Sequence, residues 1–405
     1  MSTPPLSHIL FVGIDVGSQS HSVAFGDEHG NILLEFDMHH THEGFEHFFS
    51  LLEHYAQIHH ATPRIAMEGY NGWARPFDQM ILQRGYHLFS VNNVKLARFK
   101  EMFPGAAKND RIDAQKILEL FTLDKRLPAA KNVLHPVYAQ DEVNRQLKRL
   151  SRRYNQLVKE RIVISNRMKA DLQSIAPELA ALPKHMNSRW FLKFLTLRPD
   201  IRMLPSVRSR TIGEIPYIRA DAQERIRYWQ KHARFGEEAE YVVPMIREDA
   251  LRILELEDKL SALRKQMDAL IDQSQMATLI QTIPGFATVH AATLAGEIGS
   301  LERFESEASL ALYIGTTTLD NSSGKHQGTK RSMATNRRAK AAITDGAALN
   351  ARHVEESNIY LNKKISEGKK HQQAVRSLAR HLTRILWNML THGREYETRE
   401  KVQNG

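Results

Sequence analysis

Two aspartates stand three positions apart in "KNDRIDA" (108–114), and on a helix positions i and i+3 share a face. Asp110 and Asp113 would then present two carboxylates side by side. Two more acids close apolar runs: Asp15 in "ILFVGIDV" and Glu68 in "RIAMEG". If strands bring those ends together, four carboxylates converge. Like charges about 4 Å apart repel by roughly 4 kcal/mol at an effective dielectric of about 20, so such a group must hold protons or share a cation. Hard oxygen donors without His or Cys suit Mg²⁺ or Mn²⁺. Two such ions can activate a nucleophile and stabilise the leaving oxygen of a phosphodiester. Taken singly, Asp110 and Asp113 also suit the first turn of any helix, where the dipole favours negative charge.

A second stretch carries a different chemistry. In "NSSGKHQGTKRSMATNRRAK" (321–340), six Lys or Arg and no acid run from Lys325 to Lys340, with Ser322 and Ser323 just ahead. Gly324 and Gly328 permit tight turns. One reading is a basic loop that binds phosphates without specificity. The sharper one is a serine nucleophile. A serine–phosphate ester conserves bond energy for rejoining a strand, and guanidinium groups stabilise pentacoordinate phosphorus. Lys325, Lys330, Arg331, Arg337 and Arg338 are the first candidate phosphate contacts. Arg145, Lys148, Arg149, Arg152 and Arg153 in "RQLKRLSRR" are the second set, unless they form a solvated helix face.

Composition narrows the partners. The 405 residues suffice for two or three domains with their own cores. Hydrophobic residues at 42% exclude a disordered chain. A net charge of +10 favours an anionic partner, most often nucleic acid. The absence of cysteine excludes disulfides, cysteine–zinc sites and thiol nucleophiles, and fits a reducing cytoplasm. "MSTPPLSHILFVGIDV" has no basic n-region and an apolar run of only strand length. Neither a signal peptide nor a membrane span is expected.

The elements that must position these residues follow from periodicity. "ILFVGIDV", "HSVAFG" and "NILLEFD" read as three strands. Phe45, Phe48, Phe49, Leu52 and Tyr55 then recur at helical spacing. "RIAMEG" is a fourth strand, a helix runs through Phe77, Met80 and Ile81 to about Gly85, and "HLFSVN" is a fifth strand. A helix resumes near Asp110. The order β-β-β-α-β-α-β-α is that of a ribonuclease H-like α/β domain, expected over 1–135. A helical region is expected over 136–275. Ile253, Leu256, Leu260, Leu263, Met267 and Leu270 form a coiled-coil seam. Val143, Leu147, Leu150, Tyr154 and Leu157 form another, which weakens where Arg161 enters it. The two could pair as an antiparallel hairpin or between chains. The stretch at about 176–245, rich in Pro, Arg and Trp, has no assignment. The mostly helical remainder, 276–405, carries the serine loop after Gly315. Its last helix shows a stripe at Val375, Leu378, Leu382, Ile385 and Met389. The His pairs at 39–40 and 59–60 read as solvated ends.

"GIDVG", "AMEGY", "KNDRIDA", "IPGFATVHAATLAGEIGSLERF" and "LDNSSG", in this order and spacing, resemble the DEDD transposases of insertion-sequence family one hundred and ten. That family includes Piv-type DNA invertases and bridge-RNA-guided recombinases. The resemblance spans roughly 8–135 and 276–390. It implies that Asp15, Glu68, Asp110 and Asp113 are the metal-binding tetrad of a RuvC-like domain. It implies that Ser323 is the nucleophile of a C-terminal transposase domain, with Ser322 as the neighbouring alternative. It further implies strand exchange through a serine–DNA linkage, a homo-oligomer (dimer or tetramer) acting on element ends and target DNA, and a structured guide RNA. A cytoplasmic, nucleoid-associated protein is expected. Three features depart from the family pattern. Asn109 stands where threonine is usual. "SMATN" lacks the family lysine, whose role would pass to Lys330 or Arg331. Residues 176–245 have no counterpart. Three other functions compete: a RuvC-like nuclease without serine chemistry, an actin-like kinase suggested by "GIDVGSQS", whose second glycine-rich loop is missing from the sequence, and a non-catalytic RNA- or DNA-binding protein.

Overall fold

The computed structural model describes residues 8–68, 75–91, 96–97, 110–126, 133–324, 328–330, 332 and 335–397. The chain divides into two compact units, Met1–Gln140 and Asp141–Gly405. In the first, strands β1 (His8–Val16), β2 (Ser20–Gly26) and β3 (Ile32–His39) precede helix α1 (His42–Ile58). Then come β4 (Ala61–Glu68), α2 (Arg75–Gln83), β5 (His87–Val91), α3 (Asp110–Arg126) and β6 (Leu134–Pro136). The first eight follow the expected order. β6 lies outside the expected order, because its three residues are too few for a periodic signal. The sheet runs β3-β2-β1-β4-β5-β6. β1–β2 and β2–β3 pair antiparallel, β1–β4 and β4–β5 parallel, and β6 antiparallel to β5. The β2–β3 turn is tied by Asp27, whose Oδ1 accepts from the backbone N–H of His29 and Asn31 at 2.9 and 2.8 Å.

β1 is apolar on both faces because both are covered. Leu10, Val12 and Ile14 pack with Phe48, Phe49 and Leu52 of α1 and Phe77 and Ile81 of α2. Phe11 lies on the other face with Ala114, Ile117, Leu118 and Phe121 of α3. α1 opens on Thr41, whose hydroxyl accepts from the N–H of Gly44 at 3.1 Å. Gly13 is the contact point for α3: a Cβ there would sit 2.3 Å from the carbonyl oxygen of Ala114.

His40 is not a solvated end, as the sequence suggested. Its Nε2 lies 3.0 Å from Nδ1 of His21, which is fully buried. Burial first, and the neighbouring His40 second, lower the His21 pKa to about 4.

The second unit is built on two long helices, α4 (Glu142–Ile175) and α6 (Ala239–Ile271). They run antiparallel, with ion pairs from Arg161 to Glu257, Arg167 to Asp249 and Arg252 to Glu160. The two seams therefore find a partner within the chain. Arg161, expected to weaken the seam, reaches Glu257 at 2.5 Å. Residues 176–245, unassigned from sequence, are largely helical. They hold short helices at Pro177–Ala180, Arg189–Leu195 and Ser209–Gly213, a 3₁₀ turn at Ile201–Ser206, and α5 (Ala220–His232). Phe191, Phe194, Leu204 and Trp229 close a core against Leu157–Ile175 of α4 and Val243–Leu260 of α6. That length escaped sequence reading because its elements are too short for a period to show.

The remaining elements are α7 (Gln275–Gln281), α8 (Thr288–Ile298), a 3₁₀ turn at Leu301–Arg303, α9 (Glu307–Ile314), strands β7 (Leu319–Asp320) and β8 (Thr329–Lys330), α10 (Arg337–His353), α11 (Glu355–Ser366) and α12 (His371–His392). Val375, Leu378, Leu382 and Met389 of α12 are buried as their spacing predicts. The small residues of α8 serve close crossing: a Cβ on Gly296 would lie 2.6 Å from Cα of Lys148. Among the described residues, no helix is long and apolar enough to cross a membrane.

Two outcomes follow. Gly13→Ala should destabilise the first unit by about 1–3 kcal/mol through overpacking; an unchanged thermal midpoint would mean α3 does not seat on β1 at that carbon. His21 must be neutral when folded, and the unfolded chain takes up more protons between about pH 4 and 6.5. Stability therefore falls as pH drops through that window, by about 2 kcal/mol at pH 5. His21→Asn should flatten that slope in denaturant titrations at pH 5 and 7.

Candidate active site

The acidic residues are ordered by the sheet. Asp15 and Glu68 are direct partners across the parallel β1–β4 pair, so their Cα atoms stand about 4.8 Å apart. Phe11 and Ala66 pack against α3. Asp15 and Glu68 lie an even number of residues further along, which puts them on the same face. Both are half-buried.

α3 runs opposite to β1. Ala114 meets Gly13, and Leu118, one turn later, covers Gly26, the partner of Phe11. One helical turn backward from Ala114 is about 6 Å, close to two residues of strand. The first turn of α3, Asp110 to Asp113, thus faces the level of Asp15 and Glu68. That turn is also the positive end of a helix of 17 residues. Gln115 fixes the helix from the side, donating to Glu35 on β3 at 2.6 Å. Asp113 is half-buried, and the side chain of Asp110 lies outside the described residues. Among the described residues, no three His, Asp or Glu side chains are arranged to hold a metal ion. The structure thus pairs two of the expected ligands, Asp15 and Glu68, on the face that α3 covers, and brings no third described carboxylate into a group with them. Two carboxylates side by side suit a hard divalent cation.

The same row continues to residues that sequence reading missed. Ser22 is the register partner of Asp15, and Asp37 of Ser22. The Ser22 hydroxyl donates to Asp37 at 2.8 Å. The signal was the alternation in "LLEFD", where Glu35 and Asp37 interrupt apolar residues on one face.

The serine loop is a hairpin on a pinned base. α9 ends at Gly315 in the left-handed region (φ 77°), where a Cβ would lie 2.3 Å from Cγ2 of Thr335. The N–H of Asn336 donates to the carbonyl of Tyr313 at 2.7 Å. β7 and β8 pair antiparallel, and the N–H of Asn321 donates to Gly328 O at 2.8 Å. Ser322 and Ser323 are exposed. The Ser322 hydroxyl donates to Oδ1 of Asp320 at 2.6 Å. Lys330, Arg337 and Arg338 are exposed, while Lys325 and Arg331 lie outside the described residues.

On α4, Arg149, Arg152 and Arg153 are exposed and Arg145 and Lys148 half-buried. Arg152 has an internal partner: its Nε and Nη2 fork onto the two carboxylate oxygens of Glu297 at 2.6 and 2.8 Å. Glu297 is fully buried. Burial alone would raise its pKa, but hydrogen bonds from Arg152 and Asn336 outweigh it and hold the carboxyl below its ordinary range. Sequence reading missed Glu297, although a lone acid in the apolar "TVHAATLAGEI" signals a buried partner.

Comparison with known proteins gives a family for both regions of the chain. Residues 12–177, which contain the acidic face, match a family model described as a transposase of the DEDD, IS110 type. Residues 277–361, which contain the serine loop, match one described as "Transposase IS116/IS110/IS902 family". The "Insertion element IS110 uncharacterized 43.6 kDa protein" of Streptomyces coelicolor is 26% identical over 75% of this chain and 76% of its own length. The "Insertion element IS900 uncharacterized 42 kDa protein" of Mycobacterium paratuberculosis is 25% identical over 77% and 78%. With both family models matched in order along one chain, the protein belongs to the IS116/IS110/IS902 family of insertion-sequence transposases.

Proposed function

We propose that this transposase cuts and rejoins DNA with two centres: a RuvC-like acidic site in residues 1–135 and a serine loop in the C-terminal transposase domain, 276–405. The observation that carries the reading is the register pairing of Asp15 with Glu68 on the face that α3 covers. Asp15, Glu68, Asp110 and Asp113 would hold Mg²⁺ or Mn²⁺. Bound there, the ions supply charge neutralisation and Lewis acidity at a phosphate.

The side chains of this protein perform the rest. Ser323 Oγ attacks a DNA phosphorus and gives up its proton. The Oγ–P bond forms as the bond from phosphorus to the leaving deoxyribose oxygen breaks, and that oxygen takes up a proton. A deoxyribose hydroxyl of another strand end reverses the step and releases the serine. Lys330, Arg337 and Arg338, with Lys325 and Arg331, pair with phosphate oxygens. Arg145, Lys148, Arg149 and Arg153 form the second nucleic-acid set. Arg152 is better assigned to Glu297. Target choice is assigned to a structured RNA encoded with the element, and assembly across protomers to a dimer or tetramer.

Incubation with DNA carrying element ends, followed by denaturation, should leave a protein–DNA adduct. Ser323→Ala should remove it and Ser322→Ala should keep it; Asp15→Asn should abolish strand cleavage while DNA affinity stays. Cleavage by Ser323→Ala without any adduct from the parent protein would instead identify a nuclease. DNA affinity should also fall steeply with salt: log K against log[salt] should have a slope of about −4 or steeper for five or more neutralised phosphates. A flat profile would remove the basic loop from the interface.

A further inference from the structure

We infer that Glu297 is a positioning residue for the serine loop: its buried carboxylate holds the Asn336 end of that loop to α8, and its backbone carbonyl holds the Tyr313 end. The inference rests on the serine reading above and adds to it the device that aims the serine.

The loop leaves α9 at Tyr313–Gly315 and rejoins helix at Asn336. Both ends meet on one residue. Oε2 of Glu297 accepts from Nδ2 of Asn336 at 2.8 Å, and the Glu297 carbonyl accepts from the Tyr313 hydroxyl at 2.7 Å. Nδ2 of Asn336 also donates to that hydroxyl, at 2.8 Å. The other end of the Asn336 side chain is occupied too. Its Oδ1 accepts from the N–H groups of Arg338 and Ala339, both at 3.0 Å, and so caps α10. Arg152 holds the carboxylate ionised from the α4 side. Arg303 closes the circuit, donating to the Glu297 carbonyl at 3.1 Å while its guanidinium stacks over Tyr313 at 4.9 Å.

A buried ion pair that only stabilised helix packing would need Arg152 and Glu297 alone. Here the carboxylate has a further oxygen contact, and it goes to the one side chain that both ends the loop and starts the next helix. The two carboxylate oxygens take three N–H donors, so an amide in its place sets an NH₂ group among donors and leaves at least one of them without its acceptor. Above that base, β7 and β8 are two residues each, and the N–H of Asn321 donates to Gly328 O beside them. A slack base would therefore move Ser323 directly.

The test compares the parent protein with Glu297→Gln and with Tyr313→Phe, which removes a single hydroxyl. Backbone hydrogen exchange over 319–330 should quicken at least tenfold in both, with the thermal midpoint of Tyr313→Phe near that of the parent. Adduct formation at saturating DNA should slow at least tenfold while DNA affinity is retained. Adding Asn336→Asp to Glu297→Gln exchanges donor and acceptor, keeps the helix cap, and should restore slow exchange. Exchange unchanged in both single variants would overturn the inference. Faster exchange with an unaltered adduct rate would reduce Glu297 to a structural role and overturn positioning. If the parent itself forms no adduct, the serine reading fails, and the exchange result alone decides whether Glu297 anchors the loop.

Discussion

The seat of α3 on the bare backbone of β1 at Gly13 is the contact on which the acidic face depends. A carbonyl oxygen occupies the place of a side chain there. No residue with a Cβ allows that approach, and interiors packed at crystal density do not yield by an ångström without cost. The helix axis is thereby fixed against the strand that carries Asp15. The Phe11–Phe121 stack, with ring centroids 4.6 Å apart, sets the other end, and Gln115–Glu35 sets the rotation. With axis, height and rotation fixed, the first turn of α3 has one place to be. An acidic cluster needs such rigidity, because carboxylates that repel one another will otherwise spread apart unless a cation draws them in.

The second unit solves a related problem with a buried charge. Burying Glu297 is costly by itself, and the cost is offset only because Arg152 forks onto it and Asn336 completes the set. Such an arrangement specifies geometry more than it adds stability, since any change of register leaves a charge without its donors. It also explains why Gly296 stands beside Glu297. Without a Cβ, α8 comes within van der Waals contact of α4 at Lys148, which brings the Arg152 guanidinium within reach one turn further along.

Much of this was legible in the sequence, and the limits are physical. The strands and helices of the first unit were readable because each is long and keeps one period; "ILFVGIDV" cannot be mistaken for a surface segment. The pairing of Asp15 with Glu68 was readable because both end apolar runs. β6 was not, since three residues have no period. Residues 176–245 were not, because short helices joined by turns bury Phe191, Phe194 and Trp229 without repeating. Arg161 misled in an instructive way. A charge in an apolar seam looks like a break, yet it reached across to Glu257 and the helix pair continued past it. The partners of Glu297 were illegible because Arg152 and Asn336 lie 145 and 39 residues away, and a single chain gives no sign of which distant donors an acid will meet.

In the proposed reading, the two centres make opposite demands on their supports. Ligands for a cation act by staying still, and the acids accordingly sit on central strands of a sheet and on a helix wedged against it. A nucleophile that carries a DNA end must meet a phosphate, hold it and give it up to another strand. A serine on a central strand could not follow such a substrate. Ser323 instead lies exposed near the tip of a hairpin whose strands are two residues long, above a base fixed by Gly315, Tyr313 and Asn336. Strands of two residues give Ser323 little lateral support, and the fixed base limits where it can go. The exposed basic side chains Lys330, Arg337 and Arg338, which follow the serine in the chain, suit the same phosphate. The loop thus combines local freedom with a fixed origin, which neither a disordered basic segment nor a rigid strand would provide.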